Sequence, residues 1–339
     1  STSNDSTEDS SENTTENSDE NSNEDSEDNS ADNATEDSNN NNNNVDSAED
    51  DSEADEGTSE KGVLYGFWGL NGFHDADELL DIKTRFGTTV FQVTSSYSSY
   101  AIDTLLPNVQ SSGMKVSITM AGGHSHYTDG SGDFDIEMWK DQIDEWEDSG
   151  VQDYIDNGTL VGHLILDDIY NFANDVTASQ LDDMAEYSQA AFPGLLTIVR
   201  QKASGMPTPD GGVYKYVDTV VNQYKAEDGD VEDYAQDEYD AAIALGLGVI
   251  NGLNLCDGGN GDSGQPGWRT DKITYAMTAD EVLTYGAALF DVPNLKMFLM
   301  WEYDGDEEWS DGTVGSNYFN QSDFKAAFLE LSLIAAEYE

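Results

Sequence analysis

Basic residues are scarce in this chain: 13 Lys and Arg stand against 70 Asp and Glu, a formal charge of −57 over 339 residues. A nucleic-acid surface needs clustered Lys and Arg to displace counterions from phosphates, so DNA and RNA are excluded as partners. Cysteine is limited to Cys256, which cannot form an internal disulfide, so the fold must rest on its core alone. No apolar run approaches the ~20 residues of a membrane-spanning helix. The G-x-G-x-x-G string at 259–264 lies in a glycine-rich loop on which no predicted helix opens, no P-loop or Gly-x-Ser-x-Gly elbow occurs, and Cys256 has no His partner in its motif. Nucleotide chemistry and hydrolysis through Ser or Cys therefore lack their usual signatures.

What is present divides sharply near residue 60. Residues 1–60 carry 22 Asp and Glu, no Lys or Arg, and little that is apolar beyond a few Ala and one Val. Such a segment cannot bury enough surface to offset its ordering entropy, and its charges repel. With the asparagine run at 39–44 it reads as a disordered, extended spacer. Residues 61–339 keep 48 acidic against 13 basic residues, −35 on the part expected to fold. That excess favours a soluble monomer at some cost in self-repulsion, which salt screens. The composition resembles that of proteins from salt-adapted organisms. A long acidic Ser/Asn/Asp/Glu spacer before a folded domain resembles the linker behind the lipid-bearing Cys of bacterial surface lipoproteins, although that Cys is absent here. The chain opens without Met or a signal peptide, the pattern of a processed form. The expectation is an extracellular or cell-surface protein, with a membrane tether through the spacer.

From residue 61 onward, short apolar runs alternate with segments of helical apolar spacing. Strands are predicted at 63–69 (VLYGFWG), 88–94, 115–121, 160–166, 195–201, 217–224, 248–256 and 295–303. Helices are predicted at 75–86, 101–111, 136–157, 177–191, 230–245, 278–289 and 321–338. Thr278-Ala279-Asp280-Glu281 fits a capping box. Eight strand–helix alternations over about 280 residues are the size and pattern of an α/β protein with a closed (β/α)8 barrel, a TIM barrel. A doubly wound open sheet competes, but its cofactor fingerprint is missing.

A barrel builds its active site from residues at the C-terminal ends of its strands and in the loops beyond them. The segment 163–171 (HLILDDIYN) concentrates that signal, since an apolar run ends in Asp167 and Asp168. Alternation along a strand starts this pair on opposite faces, so one is expected in the pocket and the other on a neighbour or a helix cap. The remaining strand-end residues are Trp68, Gln92, His124, Arg200, Gln223, Tyr224, Asn254, Asp257, Trp301, Glu302 and Tyr303. Aromatic faces stack on sugar rings while amides and carboxylates bind hydroxyls, so the inventory suits a carbohydrate. Glycoside hydrolysis needs two carboxyl groups across the scissile bond, one protonated and one ionised. Asp168 or Asp167 and Glu302 are the candidates, with Asp257 in reserve. Arg200 would hold a carboxylate ionised or bind an acidic sugar, or form an ion pair in the barrel mouth. No cofactor is called for. His124 and His126 lack the third and fourth ligands of a metal site. The loop at 129–137 (DGSGDFDIE) alternates oxygen ligands but lacks the glycine and final Glu of a calcium loop.

The segments Gly66-Phe67-Trp68-Gly69-Leu70-Asn71-Gly72, Gly162-His163-Leu164-Ile165-Leu166-Asp167-Asp168 and Phe298-Leu299-Met300-Trp301-Glu302-Tyr303-Asp304 resemble strand ends of secreted, glycoside-hydrolase-like TIM barrels, largely uncharacterised bacterial extracellular proteins. The resemblance spans most of 61–339. Many such barrels carry Asp-Glu-Pro or Asn-Glu-Pro after the fourth strand, with the Glu as acid/base. By position the resemblance implies Asp168 in that role, one methylene shorter and without the proline. The Glu that the largest glycosidase clan places on the seventh strand is missing, and Asp257 is the acid offered there.

Three readings compete. The first is a secreted or tethered glycoside hydrolase using Asp168 and Glu302, which requires both carboxyls in one pocket. The second is a non-catalytic glycan-binding surface protein, whose carboxylates would be splayed apart or held in ion pairs. The third is a metal-dependent hydrolase, which would need His124 or His126 to converge with Asp167 or Asp168.

Overall fold

A computed structural model describes residues 62–70, 75–170, 172–269, 271–303 and 315–339. The acidic spacer at 1–60 and the strand-end residue Asn71 lie outside the described residues. Eight parallel strands, β1 (Leu64–Trp68), β2 (Val90–Thr94), β3 (Lys115–Thr119), β4 (Leu160–Asp167), β5 (Leu196–Arg200), β6 (Thr219–Tyr224), β7 (Gly248–Leu253) and β8 (Leu295–Trp301), succeed one another around a closed barrel. The barrel closes where β1 pairs with β8, Trp68 opposite Trp301. All eight predicted strands are present, each within the predicted span or one residue beyond it, because runs buried on both faces are apolar throughout and bounded by polar residues.

Side-chain parity sorts each strand into two layers. Val90, Leu164, Ile198, Val221, Ile250, Met297 and Leu299 fill the lumen with Trp68 above them. Their neighbours Phe67, Phe91, Val199, Val220, Val249, Phe298 and Met300 belong to a larger core between strands and helices. This is a packed interior and not a pore. The mouth can hold polar groups only above that apolar plug.

Helices cover the outside where predicted, with two differences. The segment expected at 136–157 is two helices, Ile136–Glu147 and Gln152–Asp156. Gly150, at φ +90°, makes the break, a conformation that glycine adopts without a Cβ clash. The segment expected at 101–111 begins with a wide π turn, Ala101–Leu105, before the α-helix Leu106–Ser112. Pro107 in that helix's first turn lacks an N–H, so the preceding turn need not close with ordinary geometry. Two indoles of the helix Ile136–Glu147 lock onto the barrel wall: Trp139 Nε1 donates to the Ile165 carbonyl (3.0 Å) and Trp146 Nε1 to the Met120 carbonyl (3.1 Å). The Thr278/Glu281 capping box forms as predicted.

Candidate active site

The site begins with an irregularity in β4. Its pairing with β5 slips between Leu164 and Leu166, so that Leu164 faces Ile198 while Leu166 faces Val199. Ile165 is the extra residue of a bulge, and its carbonyl accepts the Trp139 indole. Ile165 and Leu166 therefore both point into the outer core. The slip reverses the parity of the residues beyond it and turns Asp167 inward, opposite Arg200.

Asp168 enters the same space by another route. It lies beyond the strand with φ +59°, a left-handed conformation that Asp tolerates better than most residues. Its own carboxylate supports the turn, Oδ1 accepting from the Tyr170 N–H at 3.1 Å, and its N–H donates to the Arg200 carbonyl at 3.1 Å. The expectation that only one of the two aspartates reaches the pocket is thus corrected: both line it. Simple alternation fails because a bulge precedes Asp167 and the strand has ended before Asp168.

The cavity at the mouth has a volume of about 620 Å³. β4 and its loop contribute Asp167, Asp168 and Tyr170, and β5 and its loop contribute Arg200, Gln201 and Lys202. β6 brings Val221, Gln223 and, just beyond its end, Lys225. The β7 side supplies Asn254, Asp257, Trp268 and Arg269, and β8 supplies Trp301. Arg200 Nε donates to Asp167 Oδ1, and the guanidinium stands 5.8 Å over the Trp68 ring. Its Nη1 also reaches Gln223 Oε1 at 3.4 Å. Asp257 is buried, with Oδ1 accepting from the Thr274 hydroxyl (2.7 Å) and the Arg269 N–H (3.1 Å). A Cβ on Gly267 would stand 2.4 Å from that oxygen, so glycine lets the loop close over the carboxylate. Trp268 and Trp301 meet edge to face at 5.6 Å and form an aromatic wall.

Two donors face the cavity from the β6 side, one of them open and the other loosely paired. Gln223 is only 8% exposed, and its Nε2 has no hydrogen-bond partner among the described residues. The nearest acid recorded for Lys225 Nζ is Glu227 at 4.0 Å. Burial, helped by the like charge of Lys272, pushes the Lys225 ammonium below its ordinary pKa.

Of the residues expected from sequence, Asp167, Asp168, Arg200, Gln223, Asn254, Asp257 and Trp301 share this cavity, with Trp68 beneath Arg200. The others are placed elsewhere. Tyr224 faces outward, packed between Tyr234 and Tyr285 at 5.1 Å each, with its hydroxyl on the Gly229 carbonyl. Tyr303 is buried against Phe67 and Phe86, each at 5.3 Å. Gln92 is spent inside the wall, donating to Thr119 Oγ1 (2.8 Å) and the Val93 carbonyl (2.9 Å). Glu302 does not line the cavity; its carboxylate lies against Gly69, where an added Cβ would meet Oε1 at 2.4 Å. The His124 ring contacts the backbone carbonyl of Asp167, while His126 faces Gln142. In the loop at 129–137, Asp129 Oδ1 is occupied by the N–H groups of Ser131 and Asp133 and the Ser131 hydroxyl.

Sequence reading misses Lys225, Trp268 and Arg269 and would leave Lys202 exposed in a polar loop. Lys202 instead lines the cavity, with Nζ on Asp228 at 2.5 Å and over the Tyr234 ring at 5.1 Å. Lys225 has a usable signal, two residues beyond Gln223 on the same strand face. Trp268 and Arg269 close a long loop in which no periodicity operates.

No protein-family model matches the chain, and no curated protein sequence matches it. Solved structures do. A GH113 beta-1,4-mannanase aligns with 81% of this chain and 99% of its own, at 11% identity and a TM-score of 0.52. A GH5_18 protein from Bifidobacterium longum subsp. infantis covers 81% of this chain and 79% of its own, at 12% identity and a TM-score of 0.52. Endo-glycoceramidase II from Rhodococcus sp. covers 75% and 76%, at 12% identity and a TM-score of 0.50. Identities this low speak for the fold alone, and in fold the chain is a TIM barrel similar to those of glycoside hydrolases.

Proposed function

We propose that the protein is a glycoside hydrolase acting on a glycan laid across the mouth between the β4 aspartates and the Trp268–Trp301 wall. The observation that carries this reading is one cavity shared by Asp168 and Asp257, which approach it from β4 and β7. The Asp168 carboxylate accepts from the Tyr170 N–H through Oδ1 and serves as the acid that protonates the glycosidic oxygen as the C–O bond breaks. Asp257, oriented by Thr274 and the Arg269 N–H, replaces Glu302 as the second carboxylate. It either takes the proton of the attacking water or attacks the anomeric carbon itself, and the stereochemistry of the product distinguishes the two. Asp167 holds Arg200 in place and is not a second acid.

The test is reducing-sugar release from a panel of polysaccharides at high salt, with Asp168→Asn and Asp257→Asn beside the wild type. Loss of a positioned acid or base lowers the rate by about 10²–10⁴. Absence of release by the wild type from every member would overturn the hydrolase reading. A second reading, glycan binding without cleavage, is supported by the Asp167–Arg200 ion pair and by Glu302 lying away from the cavity. It predicts binding that survives Asp168→Asn with no release from either protein. Export as a monomer, tethered through residues 1–60, belongs to the same proposal. Deleting 1–60 should move the protein from the membrane fraction to the soluble one, and unchanged partitioning would refute the tether.

A further inference from the structure

The charge of the mouth runs against the charge of the chain. Four of the 13 Lys and Arg line this one cavity (Arg200, Lys202, Lys225 and Arg269) against only three of the 70 Asp and Glu. Three of the cations are already engaged: Arg200 by Asp167, Lys202 by Asp228, and Arg269 by Asp271 at 2.7 and 2.8 Å. Lys225 is the least tightly held, paired at 4.0 Å with the exposed Glu227, which Lys272 meets more closely at 3.3 Å. Gln223, two residues earlier, carries an Nε2 with no hydrogen-bond partner among the described residues. A buried donor without an acceptor is costly, and one facing the cavity beside a loosely paired ammonium defines a place for a negatively charged oxygen group.

We propose that the β6 side of the mouth is an anion subsite, and that the glycan it receives is acidic, presenting a carboxylate or a sulfate ester to Lys225 Nζ and Gln223 Nε2. The inference rests on the carbohydrate reading above and narrows it to a substrate class. An anion there gives Lys225 a closer counter-charge than Glu227 at 4.0 Å and fills the open valence of Gln223. A neutral sugar hydroxyl could satisfy Gln223 but would add no counter-charge to the ammonium. The overall charge of −57 repels polyanions at long range, so discrimination must come from short contacts inside the recessed cavity.

Calorimetric titration of the full chain at high salt tests this, with short uronate oligosaccharides, short sulfated oligosaccharides and neutral oligosaccharides of equal length. The expected result is at least about tenfold tighter binding of one acidic series, which corresponds to about 1.4 kcal/mol. Lys225→Met should erase that preference, bringing the acidic series to the affinity of the neutral one, while leaving the melting temperature near wild type. Which acidic series binds identifies the anion as carboxylate or sulfate. Gln223→Leu serves as a second variant should Lys225→Met fail to fold, and should weaken the same series. Neutral oligosaccharides that bind as tightly as the acidic ones, or a preference that survives Lys225→Met, would overturn the anion subsite and leave the carbohydrate reading standing. Absence of binding in all three series would overturn both.

Discussion

The two layers of the barrel wall use neighbouring residues for opposite ends. On β6, Gln223 faces the cavity with an open donor, while Tyr224 beside it is locked between two tyrosines with its hydroxyl on the Gly229 carbonyl. At the end of β8, Trp301 lines the mouth, while Tyr303 sits in a cage of Phe67 and Phe86. The inner layer is polar above its apolar plug and opens onto the cavity, whereas the outer layer is closed by packing, even where it leaves buried polar atoms such as His163 Nε2 and Tyr234 Oη without a partner among the described residues. Position at a strand end is therefore not enough to place a residue in the site. Within a strand parity decides and any bulge before the end resets it; past the last strand residue, as at Tyr303, it no longer applies.

Substitutions that act on one layer alone sharpen this contrast, and any that act on both would break it. The largest effect belongs to the inner layer. Asp168→Asn should lower turnover by about 10²–10⁴ with the unfolding midpoint little changed, since Asn keeps an oxygen to accept from the Tyr170 N–H and tolerates the left-handed backbone at this position. A variant that lost stability in step with activity would show that Asp168 serves the fold. The outer counterpart is Tyr303→Ala, which empties a ring-sized space among Phe67, Phe86 and Asn320. Truncations of large buried aromatic side chains cost about 3–5 kcal/mol. Denaturant unfolding should register that loss, while ligand affinity per folded molecule stays at the wild-type value.

Much of this is legible in the sequence, for a physical reason. Strands buried on both faces must be apolar along their whole length, so all eight are visible, and closure is implied by their number and spacing. The same property hides the site's main irregularity. Leu164-Ile165-Leu166 is uniformly apolar, so nothing in it marks Ile165 as the extra residue or shows that Asp167 turns inward. Tyr224 is misassigned when strand-end position is weighed without parity. Tyr303 and Glu302 lie past the last residue of β8, where alternation no longer applies. Trp268 and Arg269 carry chemistry from a loop, which has no period to read.

An intermediate effect tests the outer layer through pH. His163 on β4 is fully buried, stacked on Trp139 at 5.8 Å, with Nδ1 on Ser188 Oγ at 2.7 Å. Burial pushes its imidazole down to about 3. Unfolded, the same ring takes a proton near pH 6.5, so below that value the unfolded state binds a proton that the folded state refuses. Its contribution is whole above about pH 6.5 and is lost as pH falls toward about 3, by at most about 1.4 kcal/mol per pH unit. His163→Gln, which cannot titrate, should flatten the stability profile between about pH 6.5 and 5, where carboxylates are still ionised. An unchanged slope in that window would mean that the ring is protonated in the folded protein.

The smallest effect is the most selective test of the contrast. Tyr224 and Gln223 are adjacent in the chain, so a disturbance that spread along β6 would reach the cavity at once. Tyr224→Phe keeps the ring between Tyr234 and Tyr285 and removes only the hydroxyl that donates to the Gly229 carbonyl at 2.6 Å. A hydrogen bond of this kind contributes about 0.5–1.5 kcal/mol net, and the carbonyl left behind stands in a turn whose glycine is exposed. Stability should fall by about 1 kcal/mol in denaturant unfolding, with oligosaccharide affinity unchanged. If affinity fell with it, the β6 backbone would be transmitting strain from the outer layer to Gln223, and the two layers would be one mechanical unit. If it held, packing and recognition on this strand are separable at the resolution of a single residue, because consecutive side chains leave it on opposite faces.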